Sequence, residues 1–227
     1  MRNITQSHLF DLNIYGDENM KKVLMINGSP NEFGCTYTAL KEVSDKLNSH
    51  GIETDFLYLG KGPIQGCTGC GGCYKLGRCV YNDKVNETVE SLENYDGVVI
   101  GSPVYYAGPN GALCAFLDRL FYCSRGRFAN KFAAAVTSCR RMGNTAALDR
   151  LNKYFSISKM HIVGSQYWNG VHGNTPEEVK QDLEGMQIMR TLGENMAWLM
   201  KAKETAKENG VADPQYNEKR VGTNFIR

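Results

Sequence analysis

Five short apolar runs alternate with helical patterns along the chain, and this alternation constrains the fold more than any other feature. The runs cover residues 22–27, 52–59, 96–101, 131–136 and 160–166. Between them lie segments whose apolar residues repeat about every 3.6 positions, as on one face of a helix. Strands that alternate with helices predict an α/β protein, in which a parallel sheet carries helices on both faces.

Each apolar run is followed by a loop of unusual composition, rich in glycine, proline, polar or aromatic residues. These loops cover residues 29–36, 67–79, 103–109, 138–144 and 167–174. Because the carboxyl ends of parallel strands share one edge of a sheet, all five loops are expected to gather there. The pattern predicts a flavodoxin-like, five-stranded parallel sheet with strand order 2-1-3-4-5 and one ligand site at the switch point between strands 1 and 3.

The first loop has the composition of an anion site at a helix N-terminus. Free backbone N–H groups and the helix dipole both favour phosphate there, and Ser29 and Thr36 add hydroxyl groups. The loop has neither the Gly-Lys-Ser/Thr ending of a Walker loop nor the G-x-G-x-x-G dinucleotide pattern. The alternative interpretation is an ordinary strand-to-helix loop in which Thr36 caps the helix.

Aromatic and basic residues mark the later loops as candidate binding surfaces. Tyr105 and Tyr106 lie in a loop with proline and glycine, where their rings would shield a planar cofactor or fold over the next helix. Arg140 and Arg141 would face a phosphate or a nicotinamide nucleotide, or stay solvated. Trp168 favours a binding surface in the last loop.

The second loop holds four cysteines within thirteen residues, at the spacing C-x2-C-x2-C-x5-C: Cys67, Cys70, Cys73 and Cys79. Glycines between them allow positive φ and a close approach of backbone N–H groups to sulfur. The spacing is similar to the compact ligand runs of [4Fe–4S] proteins, whereas structural zinc usually takes two separated C-x2-C pairs. Three interpretations stay open: an iron–sulfur cluster, thiols without a cluster, and zinc.

Composition excludes several classes of protein. The net charge is +2 without a basic block, so no nucleic-acid partner is expected. No apolar run approaches the roughly 20 residues that span a bilayer, so no membrane partner is expected. Eight cysteines in a chain without a signal-peptide pattern are expected to be ligands or free thiols, which predicts a cytoplasmic location.

The loops together resemble a known family. Gly28-Ser29-Pro30, Gly34-Cys35-Thr36, Ser102-Pro103-Val104-Tyr105-Tyr106 and the cysteine run resemble the NADPH-dependent FMN reductase family of flavodoxin-fold proteins, in particular its iron–sulfur flavoprotein branch. The resemblance covers about residues 21–205. One departure is Cys35, which replaces the asparagine of the usual Gly-Asn-Thr and removes a side-chain amide.

The resemblance implies a set of cofactor-binding residues. The implied FMN site consists of Ser29, Pro30, Cys35, Thr36, Tyr37 and Thr38 around the phosphate, of Pro103, Val104, Tyr105, Tyr106 and Gly108 around the flavin ring, and of Ser138 and Arg140. The implied cluster ligands are Cys67, Cys70, Cys73 and Cys79. No catalytic acid or base is expected, because flavin supplies the chemistry.

The resemblance also implies a function and a domain division. It implies an NAD(P)H oxidoreductase whose FMN passes electrons to a quinone, flavin or protein acceptor, directly or through a [4Fe–4S] cluster, in a homodimer or homotetramer. An electron-transfer protein without its own substrate and a thiol or metal redox sensor are the alternatives. The expected segments are an extension (1–20), the FMN-binding domain (21–208) with a cysteine-rich insertion (66–80), and a tail (209–227).

Overall fold

The computed structural model describes residues 21–219 and 221–223, so the predicted extension, residues 1–20, lies outside the described residues. The strands are β1 (Lys22–Asn27), β2 (Glu53–Tyr58), β3 (Gly97–Tyr105), β4 (Gly108–Pro109), β5 (Phe132–Cys139), β6 (His161–Ile162) and β7 (Gly170–His172). The helices are α1 (Cys35–Ser49), α2 (Gly72–Leu76), α3 (Lys84–Ser91), α4 (Gly111–Ser124), α5 (Asn144–Ile157), α6 (Pro176–Gln181) and α7 (Leu183–Glu208).

The sheet confirms the predicted strand order and adds two short strands. The main strands run parallel in the order β2-β1-β3-β5-β6, which is the order 2-1-3-4-5 of the five apolar runs. β4 pairs antiparallel with β3, and β7 pairs parallel with the end of β5, so the described sheet has seven strands. The fifth run forms only a two-residue strand because the chain leaves the sheet at Gly164 and returns at Gly170.

Both faces of the sheet are covered, as the alternation of strands and helices predicts. Val23, Met25 and Val99 point to the face that packs on α1 and α7. Leu24, Ile26 and the other alternate positions point to the face that packs on α3, α4 and α5. β5 is buried along its whole length, as expected for the interior of a parallel sheet.

Two glycines let helices approach the carboxyl end of the sheet. A Cβ added at Gly28 would lie 2.6 Å from Leu113 Cδ2 of α4. A Cβ added at Gly101 would lie 2.7 Å from Leu40 Cδ1 of α1. Because both distances are shorter than real side-chain contacts, a residue larger than glycine would push each helix off the sheet at this edge.

The helical pattern over residues 176–207 predicts one long helix, and this prediction is wrong. The structure has two helices, α6 and α7, separated at Asp182. The backbone of Asp182 has ψ 78°, and its carboxylate accepts hydrogen bonds from the N–H groups of Gly185 (2.9 Å) and His172 (2.7 Å). The break therefore follows from the cap that Asp182 gives α7 and from its contact with β7, neither of which the apolar periodicity contains.

The exposed ends of the fold carry two further observations. The described part of the predicted tail packs beside α7, where Asp213 pairs with Lys203 (2.9 Å) and the Tyr216 hydroxyl donates to Asn130 Oδ1 (2.9 Å). Among the helices in the described part of the chain, none is long and apolar enough to cross a bilayer.

A tyrosine beside the edge strand gives the fold a dependence on alkaline pH. The Tyr95 hydroxyl donates to Asp55 (2.8 Å), which also pairs with Lys22 (2.8 Å). Burial and the bond to Asp55 raise the pKa of Tyr95 from 10.0 to about 12. Because the folded state binds this proton more tightly, its stabilising contribution is complete below pH 10 and is lost as the pH rises towards 12.

We therefore expect the free energy of unfolding to fall more steeply above pH 10 in the native protein than in a Tyr95→Phe variant. Urea unfolding of both proteins at several values between pH 9 and roughly 11.5 measures the difference in slope. Identical slopes for the two proteins would contradict the linkage.

Candidate functional site

Hydroxyl side chains are buried where β1, β3 and β5 end beside the first turn of α1. Ser29, Thr36, Ser102 and Ser138 are each at most 5% exposed. Ser102 has structural partners, since it donates to the Pro103 carbonyl (2.8 Å) and accepts from an N–H group at the start of α4. The other three hydroxyls face the loop between β1 and α1 or the adjoining strand end, where the sequence predicted an anion site.

The loop between β1 and α1 is held in place by side chains at the ends of β1 and β2. The buried side chain of Asn27 accepts from the Ser29 N–H (3.0 Å) and donates to the Glu32 carbonyl (2.8 Å). The Tyr58 hydroxyl donates to the Pro30 carbonyl (2.7 Å). Sequence reasoning missed Asn27 and Tyr58, although a polar residue at the end of an apolar strand is a visible signal. These bonds fix the loop before any ligand binds.

The first turn of α1 offers hydrogen-bond donors. The helix begins at Cys35 without a side-chain cap among the described residues, so the interpretation of Thr36 as its cap is wrong. Instead, Thr36 Oγ1 lies 2.8 Å from Ser138 Oγ. Because one hydroxyl of this pair donates to the other, one proton of the pair is left for a further acceptor. The N–H groups of the first turn have no carbonyl partner within the helix, so they also need acceptors from elsewhere.

The neighbouring residues of the predicted phosphate site have other contacts. Thr38 donates its hydroxyl to the Gly34 carbonyl of its own helix (3.2 Å). The Tyr37 ring packs edge-on against Phe33, with ring centroids 5.2 Å apart. Cys35 Sγ lies 3.7 Å from the Gly173 carbonyl, and burial together with the nearby acidic residues of α6 raises the pKa of its thiol.

The tyrosine segment is a β-hairpin, where the sequence predicts a loop. β3 continues through Pro103 and Val104 to Tyr105, and Gly108 returns as β4. Tyr106 and Ala107 between them have φ 50° and 59°, as both central residues of a type I′ turn require. Such turns usually carry Asn-Gly, so the sequence contains no hairpin signal, and each non-glycine residue costs about 1–2 kcal/mol there.

The hairpin presents its rings outward. The Tyr106 side chain is fully exposed and Tyr105 is about half exposed, so the interpretation that both rings fold over the next helix is wrong. The tip leans against the loop after β5, since a Cβ added at Gly143 would lie 3.0 Å from Ala107 Cα. Arg140, in that same loop, is exposed. Ser29, Thr36, Ser138 and the first turn of α1 form a cradle of hydrogen-bond donors. The hairpin and the loop after β5 together border this cradle.

An unsatisfied oxygen lies at the same edge. Asn169 Oδ1 is buried and has no hydrogen-bond partner within the described residues. The backbone carbonyl of Asn169 accepts from the Thr137 N–H (2.9 Å), which places the residue beside the end of β5. Next to it, Trp168 is more than half exposed and its ring packs on Tyr167. A buried oxygen without a donor is the kind of atom that a bound ligand satisfies.

The four cysteines of the second loop line one cleft, of about 430 Å³, against the second half of α4: Cys67, Cys70, Cys73 and Cys79. Arg119 and Cys123 of α4 complete its wall. Arg119 lies nine residues beyond Asn110, the cap of α4, which is roughly 13 Å along a helix. The expectation that all five loops meet at one edge is therefore wrong for this loop, because it turns away along α4.

The cysteines differ in environment. Cys67 and Cys70 are exposed, whereas Cys73 and Cys79 pack partly against the core cluster beneath α4. Within the described residues, no three cysteine, histidine or carboxylate side chains converge closely enough to hold a metal ion. The segment also forms the short helix α2, which the sequence pattern did not predict, between glycines with positive φ at both ends.

Cys114 and Cys123 lie in the apolar pattern of α4, and the sequence predicts that both are small buried residues, as lone cysteines usually are. Cys123 is buried, as expected, and burial raises the pKa of its thiol to about 12. Cys114 is only half-buried, so the expectation is wrong there. Arg119 was not predicted to line this cleft, although an arginine within the apolar pattern of α4 was a visible signal.

Comparisons of sequence identify relatives. Residues 21–175 match the model of the family described as NADPH-dependent FMN reductase. A protein named iron–sulfur flavoprotein from Methanocaldococcus jannaschii is 31% identical over 188 residues, which cover 79% of this chain and 97% of that protein. An iron–sulfur flavoprotein from Methanosarcina thermophila is 28% identical over 173 residues, or 74% of this chain and 89% of that protein.

Comparisons of structure agree with the observed topology. RosB, solved with bound 8-demethyl-8-formylriboflavin-5'-phosphate, has a TM-score of 0.64 at 15% identity and covers 91% of this chain and 94% of its own. A WrbA-like flavodoxin from Agrobacterium tumefaciens has a TM-score of 0.56 at 11% identity, with 81% and 99% covered. At these identities the likeness shows the flavodoxin-like fold alone. With the match over residues 21–175 and the relatives above, the chain belongs to the NADPH-dependent FMN reductase family and to its iron–sulfur flavoprotein branch.

Proposed function

We propose that this protein is an FMN-dependent oxidoreductase that takes electrons from NADH or NADPH and passes them to a quinone, flavin or protein acceptor. The observation that carries the proposal is the cradle at the start of α1, where Ser29 and the paired hydroxyls of Thr36 and Ser138 lie beside uncapped N–H groups. Membership of the family supports flavin chemistry for the same site.

The residues of the cradle fit a phosphate. The Ser29 hydroxyl accepts from the Asn31 N–H (3.1 Å), which leaves its own proton free to donate. The Thr36–Ser138 pair supplies a second proton, and the first turn of α1 supplies backbone donors and the positive end of its dipole. Such a set of donors favours an anionic acceptor, which the phosphate of FMN provides.

The hairpin fits the flat part of the cofactor. Pro103, Val104 and Gly108 form its strands, and Tyr105 and Tyr106 provide exposed rings beside the cradle. Backbone groups of a strand pair bind the polar edge of a planar ring, while aromatic side chains exclude water from its faces. Bound FMN supplies hydride acceptance and one-electron donation. The residues of this chain bind and orient it.

We also propose that Cys67, Cys70, Cys73 and Cys79 hold a [4Fe–4S] cluster. Four thiols line a single cleft, and glycines with positive φ between them give the segment freedom to bring the sulfurs together. A cluster supplies single-electron transfer, which suits an acceptor that takes electrons one at a time. The exposed positions of Cys67 and Cys70 favour a second candidate, in which these thiols act as a redox sensor without a cluster.

One purification tests these proposals. We expect protein prepared without oxygen to contain FMN and iron with inorganic sulfide, and to oxidise NADH or NADPH when a quinone or free flavin is added. FMN without iron would remove the cluster and leave the flavoenzyme. FMN and iron without nicotinamide oxidation would indicate an electron carrier. Failure to bind FMN in a titration with excess cofactor would overturn the proposal as a whole.

A further inference from the structure

Arg119 is a buried cation that contacts a cysteine sulfur. Its side chain is 1% exposed, and its Nε–H donates to Cys79 Sγ at 3.2 Å. We propose that Arg119 is a positioning residue for the cluster: it holds Cys79 as a preformed ligand and raises the reduction potential of the group that the cysteines bind. The inference rests on the proposed function, because it assumes that these cysteines hold a cluster.

The guanidinium group is bound on every side. Besides the bond to Cys79, Nη1 donates to the Gln65 carbonyl (3.2 Å) and Nη2 to the Tyr81 carbonyl (3.2 Å). Both nitrogens also bind the Asp83 carboxylate, at 2.6 and 2.9 Å. All five N–H donors of the arginine are therefore used, which is the condition under which a buried guanidinium is retained.

These contacts join both ends of the cysteine segment. Gln65 precedes the segment and Tyr81 follows it, so a single side chain of α4 holds its entry and its exit. Asp83, the fourth partner of Arg119, also caps α3, because its carboxylate accepts from the Val85 N–H. The arginine therefore connects the segment to two helices of the core.

Cys79 is fixed through its backbone as well as its sulfur. Its N–H donates to Asn86 Oδ1 (2.8 Å), and its carbonyl accepts from Asn86 Nδ2 (3.0 Å). Asn86 is 2% exposed. Cys67 and Cys70, by contrast, lie exposed on either side of a glycine with positive φ. Cys79 is thus a preorganised ligand, and the exposed thiols are the part of the segment that has to close.

A cation beside a ligand sulfur changes the electronic properties of a cluster. Reduction adds negative charge, and an N–H donor with a full positive charge at the sulfur stabilises the more negative state. The carboxylate of Asp83 offsets part of this charge from the opposite side of the guanidinium, but its side chain is 38% exposed and solvent screens it more than it screens the arginine. The net effect is a higher reduction potential.

Arg127 provides a matched control. It binds the same segment through the Gly77 carbonyl (3.3 Å) and the core through the carbonyls of Val89, Cys123 and Ser124, and none of these hydrogen bonds goes to a sulfur. Replacing either arginine by lysine keeps the positive charge but shortens the side chain and removes the planar guanidinium group. A difference between Arg119→Lys and Arg127→Lys therefore reports the sulfur contact rather than the general loss of a tether.

The test compares Arg119→Lys, Arg119→Gln and Arg127→Lys with the native protein. A redox titration followed by electron paramagnetic resonance gives the midpoint potential, and a chelator assay gives the rate of iron loss. We expect a more negative potential and about 10-fold faster iron loss in both Arg119 variants, with a larger change for glutamine, and values near native for Arg127→Lys. If the glutamine variant does not fold, the two lysine variants decide the question.

Two outcomes overturn the inference and remain distinguishable. A native protein that holds a cluster whose potential is the same in Arg119→Lys and Arg127→Lys would overturn the inference and leave the proposed function intact. A native protein that holds FMN but no iron after reconstitution with iron and sulfide would overturn both the cluster and the inference. The FMN oxidoreductase assignment would stand in that case.

Discussion

Replacing Ser29 and Thr36 together by alanine is expected to weaken FMN binding by roughly 30-fold to 10⁴-fold. Each hydroxyl that bonds a charged phosphate contributes roughly 1–3 kcal/mol, and about 1.4 kcal/mol corresponds to a factor of ten in affinity. Thr36 is also the partner of Ser138, so its loss leaves a buried hydroxyl without its bond. Quenching of flavin fluorescence during titration of the apoprotein measures the affinity.

Two controls separate phosphate recognition from general damage to α1. Ser44→Ala removes another buried hydroxyl of the same helix, one that pairs with Thr54 at 2.7 Å, far from the first turn. It is expected to leave FMN affinity unchanged. Riboflavin lacks the phosphate, so the double variant should bind it as the native protein does. An equal loss for riboflavin and FMN would show that these hydroxyls do not contact the phosphate.

Replacing Gly101 by valine is expected to destabilise the fold by about 3 kcal/mol, or to lower Tm by roughly 6–12 °C. A Cβ at this position would already lie 2.7 Å from both Leu40 Cδ1 and Thr36 Cγ2, and valine adds two further methyl groups. The contact involves the first turns of α1, so the variant should also lose FMN affinity. Thermal unfolding and the flavin titration measure the two effects.

Gly111→Ala is the matched control for this substitution. Gly111 is the first residue of α4, and no described atom lies within 4 Å of a Cβ added there. Alanine is the better helix former, so we expect unchanged or slightly higher stability. Equal Tm values for the valine variant at position 101 and the native protein would contradict the close packing of α1 on β3.

The predicted layers were correct because their signals are local, and the strand order was correct because few topologies satisfy right-handed crossovers and short connections. Apolar runs, glycine and proline breaks and 3.6-residue periodicity lie within windows of about 20 residues. An aspartate directly before the helical pattern of residues 85–95 predicts a cap at Asp83, and this prediction is confirmed. The hairpin at Tyr105–Gly108 was missed because it lacks a local signal: its turn residues, Tyr106 and Ala107, are not those that usually mark a type I′ turn.

The contacts that define the site have no such local signal. Composition suggested Thr36 as a helix cap, but its hydroxyl pairs with Ser138, 102 residues away. The spacing of the cysteines predicted that they belong together, and they line one cleft. The guanidinium that holds Cys79 comes from Arg119, 40 residues further along the chain, where the sequence shows only a charged residue in an apolar pattern.

The sequence by itself determined the α/β layers, because residues close in the chain decide where strands and helices begin and end. With the connection rules of parallel sheets it also determined the strand order and the strand ends beside which the proposed FMN cradle lies. The tertiary structure alone decided which hydroxyl protons stay free, which cysteine sulfur is held in advance, and that the cysteine loop turns away along α4. These properties depend on contacts between distant residues, and such contacts exist only after the helices have packed on the sheet.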